Sequence, residues 1–208
     1  MHATHRERRT EIRARLAEFA AVGRAGSDAR LWEELVFCIF TAGASARMGL
    51  RSIEAVRPLL ADGAHEELAA ALTGVHRYPR SRSGYIVVTR DYLRADCSLC
   101  LRARLNSFAD PSVRRDWLAR TSGIKGLGYK EASHFLRNVG WRGYAILDKH
   151  ILRSLSELGV IASPDPPTTR ARYLATEEAL RRFARTARIA FDELDLVLWS
   201  MKTGEILK

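Results

Sequence analysis

The stretch Thr121-Ser122-Gly123-Ile124-Lys125-Gly126-Leu127-Gly128-Tyr129-Lys130-Glu131-Ala132-Ser133 decides the fold of this chain. Gly126 and Gly128 flank a single apolar residue, and a helix-compatible run follows at once. Glycine at such a turn permits a positive φ and leaves room for an approaching group. The first turn of a helix has unpaired backbone N–H groups and the positive end of the helix dipole, which both favour an anion. The stretch therefore predicts a phosphate-binding turn, with Lys130 at the mouth of the following helix.

Helical periodicity and capping residues continue along most of the sequence. Ser27-Asp28 is suited to begin one helix, and Asp110-Pro111-Ser112 begins another that runs into the opening stretch. We interpret Tyr78–Tyr85 as a basic loop and the apolar run Ile86-Val87-Val88 as part of a helix. Asp148 is placed to cap a further helix. An all-α protein follows.

Composition and charge limit the function classes. The chain has 208 residues, 47% of them hydrophobic, which is enough to form a core in one domain or in two closely packed lobes. The sequence shows neither an apolar run long enough to span a membrane nor a secretory signal, so we expect a cytoplasmic protein without a membrane partner. Lysine and arginine exceed aspartate and glutamate by 34 − 24 = 10. This surplus favours a polyanionic partner, with nucleic acid first.

The cysteines do not indicate a disulfide framework or a metal site. The chain has three of them, Cys38, Cys97 and Cys100. Cys97 and Cys100 have the CxxC spacing, but no second Cys or His pair lies at a metal-ligand distance in the sequence, and a zinc or iron–sulfur site needs about four ligands. We therefore expect packing cysteines, with no metal and no cofactor.

The distribution of lysine is more informative. Only five of the 34 basic residues are lysine, and three of the five lie between Lys125 and Lys149. Unlike arginine, lysine can lose its proton in a desolvated site and act as a nucleophile. The pattern favours a chemical role for one of these three.

The hairpin has a downstream partner that makes it specific. Eighteen residues after Lys130 stands Asp148, within Ala145–Arg153. A helix, a glycine-rich turn, a helix and then an aspartate opening the next helix resemble the helix-hairpin-helix DNA glycosylase superfamily. Within it, Gly126–Gly140, Leu198–Lys208 and Ser45-Ala46-Arg47-Met48-Gly49 resemble the type 2 8-oxoguanine DNA glycosylase/AP lyases. The resemblance covers nearly the whole chain.

The resemblance implies a two-lobed helical fold whose cleft holds duplex DNA containing 8-oxoguanine. Residues 30–140, with the hairpin at about 112–140, would form one lobe. Residues 1–29 and 141–208 would form the other. Independently of the resemblance, the proline-rich stretch Ala162–Thr169 predicts a turn between lobes. The protein would act as a monomer, at the nucleoid in a prokaryotic cell. No cysteine follows Cys100, which counts against the iron–sulfur branch of the superfamily.

The resemblance also implies a catalytic pair. Lys130, after losing its proton, would attack C1′ of the damaged nucleotide and expel the base, and the resulting Schiff base would permit β-elimination. Asp148 would stabilise positive charge on the sugar and orient the amine. Other roles remain open for both residues: Lys130 as a phosphate contact and Asp148 as a plain N-cap.

The remaining site predictions concern recognition. The resemblance places the C-terminal Lys208 in the base pocket, where its carboxylate would accept the N7–H that distinguishes 8-oxoguanine from guanine. Trp199 and Tyr85 are candidates for stacking on the extruded base. The candidate contacts with the DNA backbone are Lys125, Gly126, Gly128 and His150.

Two alternatives stay open. A hairpin alone is common in non-catalytic DNA-binding modules. A glycosylase of this fold could also act on another oxidised or mismatched base. No Asn or Gln stands in Ala42-Gly43-Ala44-Ser45, where the superfamily often places the side chain that fills the gap left by the extruded base, so that residue is unassigned.

Overall fold

Helices dominate the structure, a computed structural model that describes residues 1–206. Within this range none of the chain forms a β-strand, which confirms the all-α prediction. A single 3-10 turn, Arg57–Leu59, follows the third helix. The eleven α-helices of this range are α1 (His2–Ala25), α2 (Asp28–Thr41), α3 (Ala46–Val56), α4 (His65–Leu72), α5 (Pro79–Cys97), α6 (Leu101–Asn106), α7 (Pro111–Arg120), α8 (Tyr129–Asn138), α9 (Lys149–Glu157), α10 (Arg170–Ala187) and α11 (Phe191–Thr203).

Polar caps fix where several helices begin, as their sequences predict. Ser27 Oγ accepts the Arg30 N–H at the start of α2, 3.2 Å away. Asp110 Oδ1 accepts the Ser112 N–H at the start of α7, 2.7 Å away. Each bond satisfies an N–H that has no partner inside the helix, at a typical gain of about 1 kcal/mol.

The interpretation of Tyr78–Tyr85 as a loop is wrong. Helix α5 begins at Pro79 and runs through Gly84 into the apolar run. Proline suits the first position of a helix because its fixed φ is helical and its missing N–H would have no partner there. The chain before it is held by His76, whose Nδ1 accepts the Tyr78 N–H at 3.0 Å.

The buried apolar residues form two main clusters. One extends from Leu31 in α2 to Tyr144 and includes the fully buried Phe37, Phe40 and Phe135. The other is built from α9, α10 and α11 together with the segment that precedes α9. We propose that these clusters are the cores of the two lobes expected for 30–140 and for 1–29 with 141–208.

Helix α1 connects the two regions. Its Ile12 is buried with Leu196, Val197 and Ile206, beside the second cluster. Near its other end α1 lies against the C-terminus of α8. A Cβ at Gly23 would lie 2.4 Å from the carbonyl oxygen of Val139, so this approach requires glycine. The N-terminal helix thus packs against both α8 and α11.

No helix among residues 1–206 combines the length and the apolar character needed to cross a membrane.

Candidate active site

The turn between α7 and α8 has the backbone that its glycines predict. Gly126 has φ +78°, a conformation that side chains other than glycine's rarely adopt. A Cβ there would also come 2.8 Å from Cδ2 of Tyr85, so both conformation and space require glycine. The Lys125 N–H donates to Thr89 Oγ1 of α5 at 2.9 Å. The hairpin is therefore anchored on α5.

The N-terminus of α8 carries its own carboxylate. Gly128 has an extended backbone, and its N–H donates to Oε2 of Glu131 at 3.1 Å. Glu131 is the third residue of α8, so this is the glutamate half of a capping box. The amide expected to face a phosphate is thus paired with Glu131 in the free protein.

Lys130 lies beside this capped end and pairs with the neighbouring carboxylate. Its Nζ is 2.8 Å from Oε1 of Glu131, and its side chain is 28% exposed. The sequence suggested that Asp148 orients the amine, whereas the ion pair that the structure gives Lys130 is with Glu131. A carboxylate therefore holds the amine from within α8 itself.

Asp148 caps α9, as the sequence predicts. Its Oδ1 accepts the N–H groups of His150 and Ile151, both at 2.8 Å. The side chain is thus fixed through one of its oxygens, Oδ1.

A cleft of about 1100 Å³ joins these features. Its walls come from α8, from the start of α9 and from α11, and also from the turn before α3 and the segment before α10. Of the predicted site residues, the cleft is lined by Gly128, Lys130, Asp148, His150 and Trp199. The half-buried indole of Trp199 meets the His150 ring edge to face, with centroids 6.5 Å apart.

The other predicted site residues lie elsewhere. Tyr85 packs against Gly126 of the hairpin. Neither of them lines the cleft, and nor does Lys125, which is exposed. Lys208 lies outside the described residues. The chain before it is anchored because Ile206 is buried. Glu205 lines the cleft and pairs with Arg47 of α3, which also lines it.

The geometry is matched by proteins of one family. A family model described as 8-oxoguanine DNA glycosylase matches residues 12–189. This chain belongs to the 8-oxoguanine DNA glycosylase family. It is 43% identical to an 8-oxoguanine DNA glycosylase/AP lyase of Korarchaeum cryptofilum, over 95% of this chain and 90% of the relative.

Solved structures of family members have the same fold. The crystal structure of the Thermotoga maritima 8-oxoguanine DNA glycosylase is 36% identical, with a TM-score of 0.89, covering 100% of this chain and 96% of that one. The Methanocaldococcus jannaschii 8-oxoguanine glycosylase/lyase, in complex with a 15mer DNA containing 8-oxoguanine, is 36% identical with a TM-score of 0.87. That match covers 96% of this chain and 93% of the relative. These matches confirm the helix-hairpin-helix glycosylase fold.

A buried ion pair that the sequence did not predict lies on the cleft wall. Arg137 of α8 donates from Nη1 to Oδ2 of Asp195 on α11, at 2.6 Å. Arg137 is two turns beyond Lys130, and Asp195 is one turn before Trp199. The pair therefore ties the helix of the nucleophile candidate to the helix of the stacking candidate. The one available signal was a charged residue inside the apolar run of α11.

A second missed network supports the segment before Asp148. Tyr173 of α10 donates from its hydroxyl to the Ala145 carbonyl at 2.7 Å, and Glu177 accepts the Ala145 N–H at 2.8 Å. Arg115 of α7 binds the same Glu177 carboxylate at 2.6 Å. Burial raises the pKa of Tyr173, which therefore stays protonated as a donor. Helix α10 thus fixes the chain that presents Asp148.

The small-residue turn before α3 is held by arginines. Arg82 donates to the Ala42 carbonyl, and Arg77 donates to the Gly43 carbonyl. Gly43 and Arg77 line the cleft.

The cysteines are free thiols, and no cluster of three metal-ligating side chains occurs among residues 1–206.

The burial of Asp195 predicts a pH-dependent stability. Burial, with further negative charge from Asp148 and Asp192, raises its pKa to about 6 against the opposing effect of Arg137. Because the folded pKa exceeds the unfolded value of about 3.9, this group stabilises the fold below pH 4 and loses that contribution as pH rises through 6. The loss amounts to about 3 kcal/mol for a shift of about two units.

The Asp195→Asn variant lacks this titration. We expect the free energy of unfolding of the wild type, minus that of Asp195→Asn, to fall by about 3 kcal/mol between pH 4 and pH 7. Urea denaturation of both proteins at several pH values measures the difference. A difference that does not change with pH would contradict the raised pKa of Asp195.

Proposed function

We propose that this protein excises 8-oxoguanine from duplex DNA with Lys130 as the nucleophile, and then cleaves the backbone 3′ to the abasic site by β-elimination. The membership of the chain in the 8-oxoguanine DNA glycosylase family supports the reaction class. The observation that carries the residue assignment is the placement of Lys130 and Asp148. They lie at the N-termini of α8 and α9, on the walls of one cleft.

Access to the glycosidic bond requires that the damaged nucleotide leave the duplex. The cleft, at about 1100 Å³, has room for an extruded nucleotide, whose unstacking costs a few kcal/mol. Contacts with the backbone on either side recover this cost. The basic surplus of the chain favours such contacts with phosphates.

Base excision follows from the amine and the nearby carboxylate. The neutral Nζ of Lys130 donates its lone pair to C1′. The C1′–N9 bond breaks, and the electron pair of that bond leaves with 8-oxoguanine. Positive charge develops on the sugar in the transition state. Asp148 carries a negative charge fixed by two amide hydrogen bonds, and a fixed charge of this kind stabilises the developing cation.

Strand cleavage follows from the bond that Lys130 has made. The aminosugar opens to an imine between Nζ and C1′, which acidifies the C2′ hydrogen. Removal of that proton forms the C2′–C3′ double bond and expels the 3′ phosphate with the C3′–O electron pair. Later hydrolysis of the imine releases the lysine.

Base recognition would involve two parts of the C-terminal region. Trp199 presents a half-buried ring to the cleft, suited to stacking on a purine. Lys208 would supply its carboxylate as the acceptor for N7–H, since the chain before it is anchored by Ile206. Tyr85 would act through the hairpin, because its ring packs against Gly126.

Removing Lys208 tests this assignment. Without it, the carboxylate moves back by one residue and no longer reaches N7–H, so we expect the preference for 8-oxoguanine over guanine to fall by about tenfold or more. Base release from matched 8-oxoguanine and guanine duplexes measures the preference. An unchanged preference would place the recognition elsewhere in the cleft.

The DNA backbone would be gripped by the hairpin and by α9. Lys125 is exposed and Gly126 packs against Tyr85, both outside the lining of the cleft, whereas Gly128 and His150 line it. Because the Gly128 N–H is paired with Glu131, a phosphate would bind neighbouring amides or displace that carboxylate. A single chain supplies every proposed contact, so the protein would act as a monomer. Its substrate would place it at the nucleoid.

Borohydride trapping of the wild type tests the proposed function. Reduction of the imine leaves a stable protein–DNA adduct that migrates slowly in a denaturing gel. We expect an adduct and a cut strand with an 8-oxoguanine duplex, and neither with a guanine duplex of the same sequence. A duplex cut only when it carries an oxidised pyrimidine or a mismatched adenine would overturn the substrate assignment. Binding without cutting would overturn the enzymatic one.

A further inference from the structure

We propose that Glu131 is the base that removes the proton from Lys130. This inference rests on the proposed function, since it concerns how the same nucleophile becomes reactive. A lysine amine attacks only in its neutral form, so a group in contact with Nζ has to accept a proton. Among residues 1–206, the carboxylate that pairs with Nζ is that of Glu131, 2.8 Å away.

The contact is not the default for neighbouring helical residues. Side chains one position apart on a helix do not face each other. Here Glu131 is turned towards the N-terminal end of α8 because its Oε2 accepts the Gly128 N–H. That bond leaves Oε1 directed at Nζ of Lys130. The cap therefore positions the base.

The two carboxylate oxygens of Glu131 have different roles in the proposed proton transfer. A proton transferred from Nζ binds to Oε1, while Oε2 becomes the carbonyl oxygen and still accepts the Gly128 N–H. The step converts an ammonium–carboxylate pair into an amine and a carboxylic acid, and no other reactant is needed. Where bound DNA would exclude water from the cleft, a low dielectric favours the neutral amine and acid over the charged contact pair.

Asp148 is less suited to this step. Its Oδ1 binds two amide N–H groups of α9, and the ion pair that the structure gives Nζ of Lys130 is with Glu131 instead. The proposal therefore gives the two carboxylates different tasks: Glu131 takes the proton, and Asp148 stays charged opposite the sugar. Each is fixed by the N-terminus of its own helix.

Other ionisable groups around the pair do not replace Glu131. Burial raises the pKa of Cys38, which stays a thiol, and Arg82 is a cation that cannot accept a proton. Asp195 is engaged with Arg137. Cys38 of α2 and Arg82 of α5 interact electrostatically with the pair, and the ionisable groups of α9 and α11 that line the same cleft are Asp148, Lys149, His150 and Asp195.

The Glu131→Gln variant separates the base from the cap. The amide oxygen still accepts the Gly128 N–H, but the side chain accepts no proton. We expect release of 8-oxoguanine in a single turnover at pH 7 to be about a hundredfold slower than in the wild type. Because hydroxide deprotonates the lysine as pH rises, the deficit should shrink to about fivefold or less by pH 9.5. Binding of the duplex should change by less than about twofold.

The matched control is Glu67→Gln. Glu67 is also the third residue of its helix and caps the Ala64 N–H of α4 at 2.7 Å, away from the cleft. We expect this variant to keep the wild-type rate at every pH. Its melting temperature shows how much stability is lost when a cap of this kind is weakened. Released base is measured rather than cut strand, because abasic DNA breaks in alkali. A histidine with an ordinary pKa is already neutral over most of the range from pH 7 to pH 9.5, so its titration would not produce the expected change in rate.

The outcomes decide between a base and a structural cap. A Glu131→Gln rate equal to the wild type at pH 7, or a deficit that is the same at pH 7 and pH 9.5, would overturn the proposal. Should Glu131→Gln melt well below Glu67→Gln, Glu131→Asp gives the answer, since it restores a carboxylate. We expect it to recover much of the pH 7 rate that Glu131→Gln loses, and a pH 7 rate no higher than that of Glu131→Gln would overturn the base role. Wild-type protein that forms no borohydride adduct would instead refute the proposed function itself.

Discussion

Lys130→Gln is expected to abolish both base excision and adduct formation. The amide has no lone pair available for attack on C1′, so we expect the rate of 8-oxoguanine release to fall by at least about ten-thousandfold. No adduct should form with borohydride, even at long incubation. Single-turnover base release and trapping on the same duplex measure both effects.

The cleft contains a second lysine, which provides the control. Lys149 is the first residue of α9, is exposed and also lines the cleft. Lys149→Gln removes the same charge from the same cleft but leaves the proposed nucleophile. We expect it to weaken DNA binding modestly and to retain the adduct. An adduct that survives in Lys130→Gln and disappears in Lys149→Gln would reverse the assignment.

Asp148→Asn is expected to show that the carboxylate has a role beyond capping. Asparagine is as good an N-cap as aspartate, so the amide oxygen should keep the bonds to His150 and Ile151. The negative charge opposite the sugar is lost. We expect base release to slow by about a thousandfold while the free energy of unfolding changes by less than about 0.5 kcal/mol.

Asp148→Ala provides the comparison, because it removes the charge and the cap together. We expect it to lose a similar factor in rate and, in addition, about 1 kcal/mol of stability. Thermal unfolding and single-turnover kinetics on the three proteins separate the two roles. A wild-type rate in Asp148→Asn would reduce Asp148 to a helix cap.

Local chemistry explains which features were predictable from sequence. The caps at Ser27, Asp110 and Asp148 follow from residues that are adjacent in the chain to the amides they bind. The hairpin glycine Gly126 likewise shows its requirement locally, through a positive φ. Helical periodicity predicted an all-α protein, the family resemblance added the two-lobed arrangement, and the structure and the relatives confirm the all-α helix-hairpin-helix fold.

Contacts between distant segments were not predictable in the same way. The Arg137–Asp195 pair joins residues 58 apart in the chain, and no local pattern indicates which buried cation faces which carboxylate. Tyr85 looked like a base-stacking residue, but its direction depends on how α5 packs on the hairpin. The loop expected at Tyr78–Tyr85 is helical because a proline at the first position starts a helix rather than ending one.

Glu131 lies between these two cases. Its capping role follows from its place three residues after Gly128, a spacing that the sequence displays. Its contact with Nζ of Lys130 does not follow, because neighbouring helical side chains usually diverge. A local signal thus marked the residue, while the three-dimensional arrangement indicated its chemistry.

The most direct test of the central claim is to locate the reduced adduct by mass spectrometry. The trapped complex is digested with nuclease and then with trypsin, which does not cleave after a modified lysine. We expect a sugar remnant on Lys130, carried by an uncut peptide that spans residues 126–137. A remnant on Lys149, in an uncut peptide that spans residues 143–153, or on the N-terminal amine would contradict it.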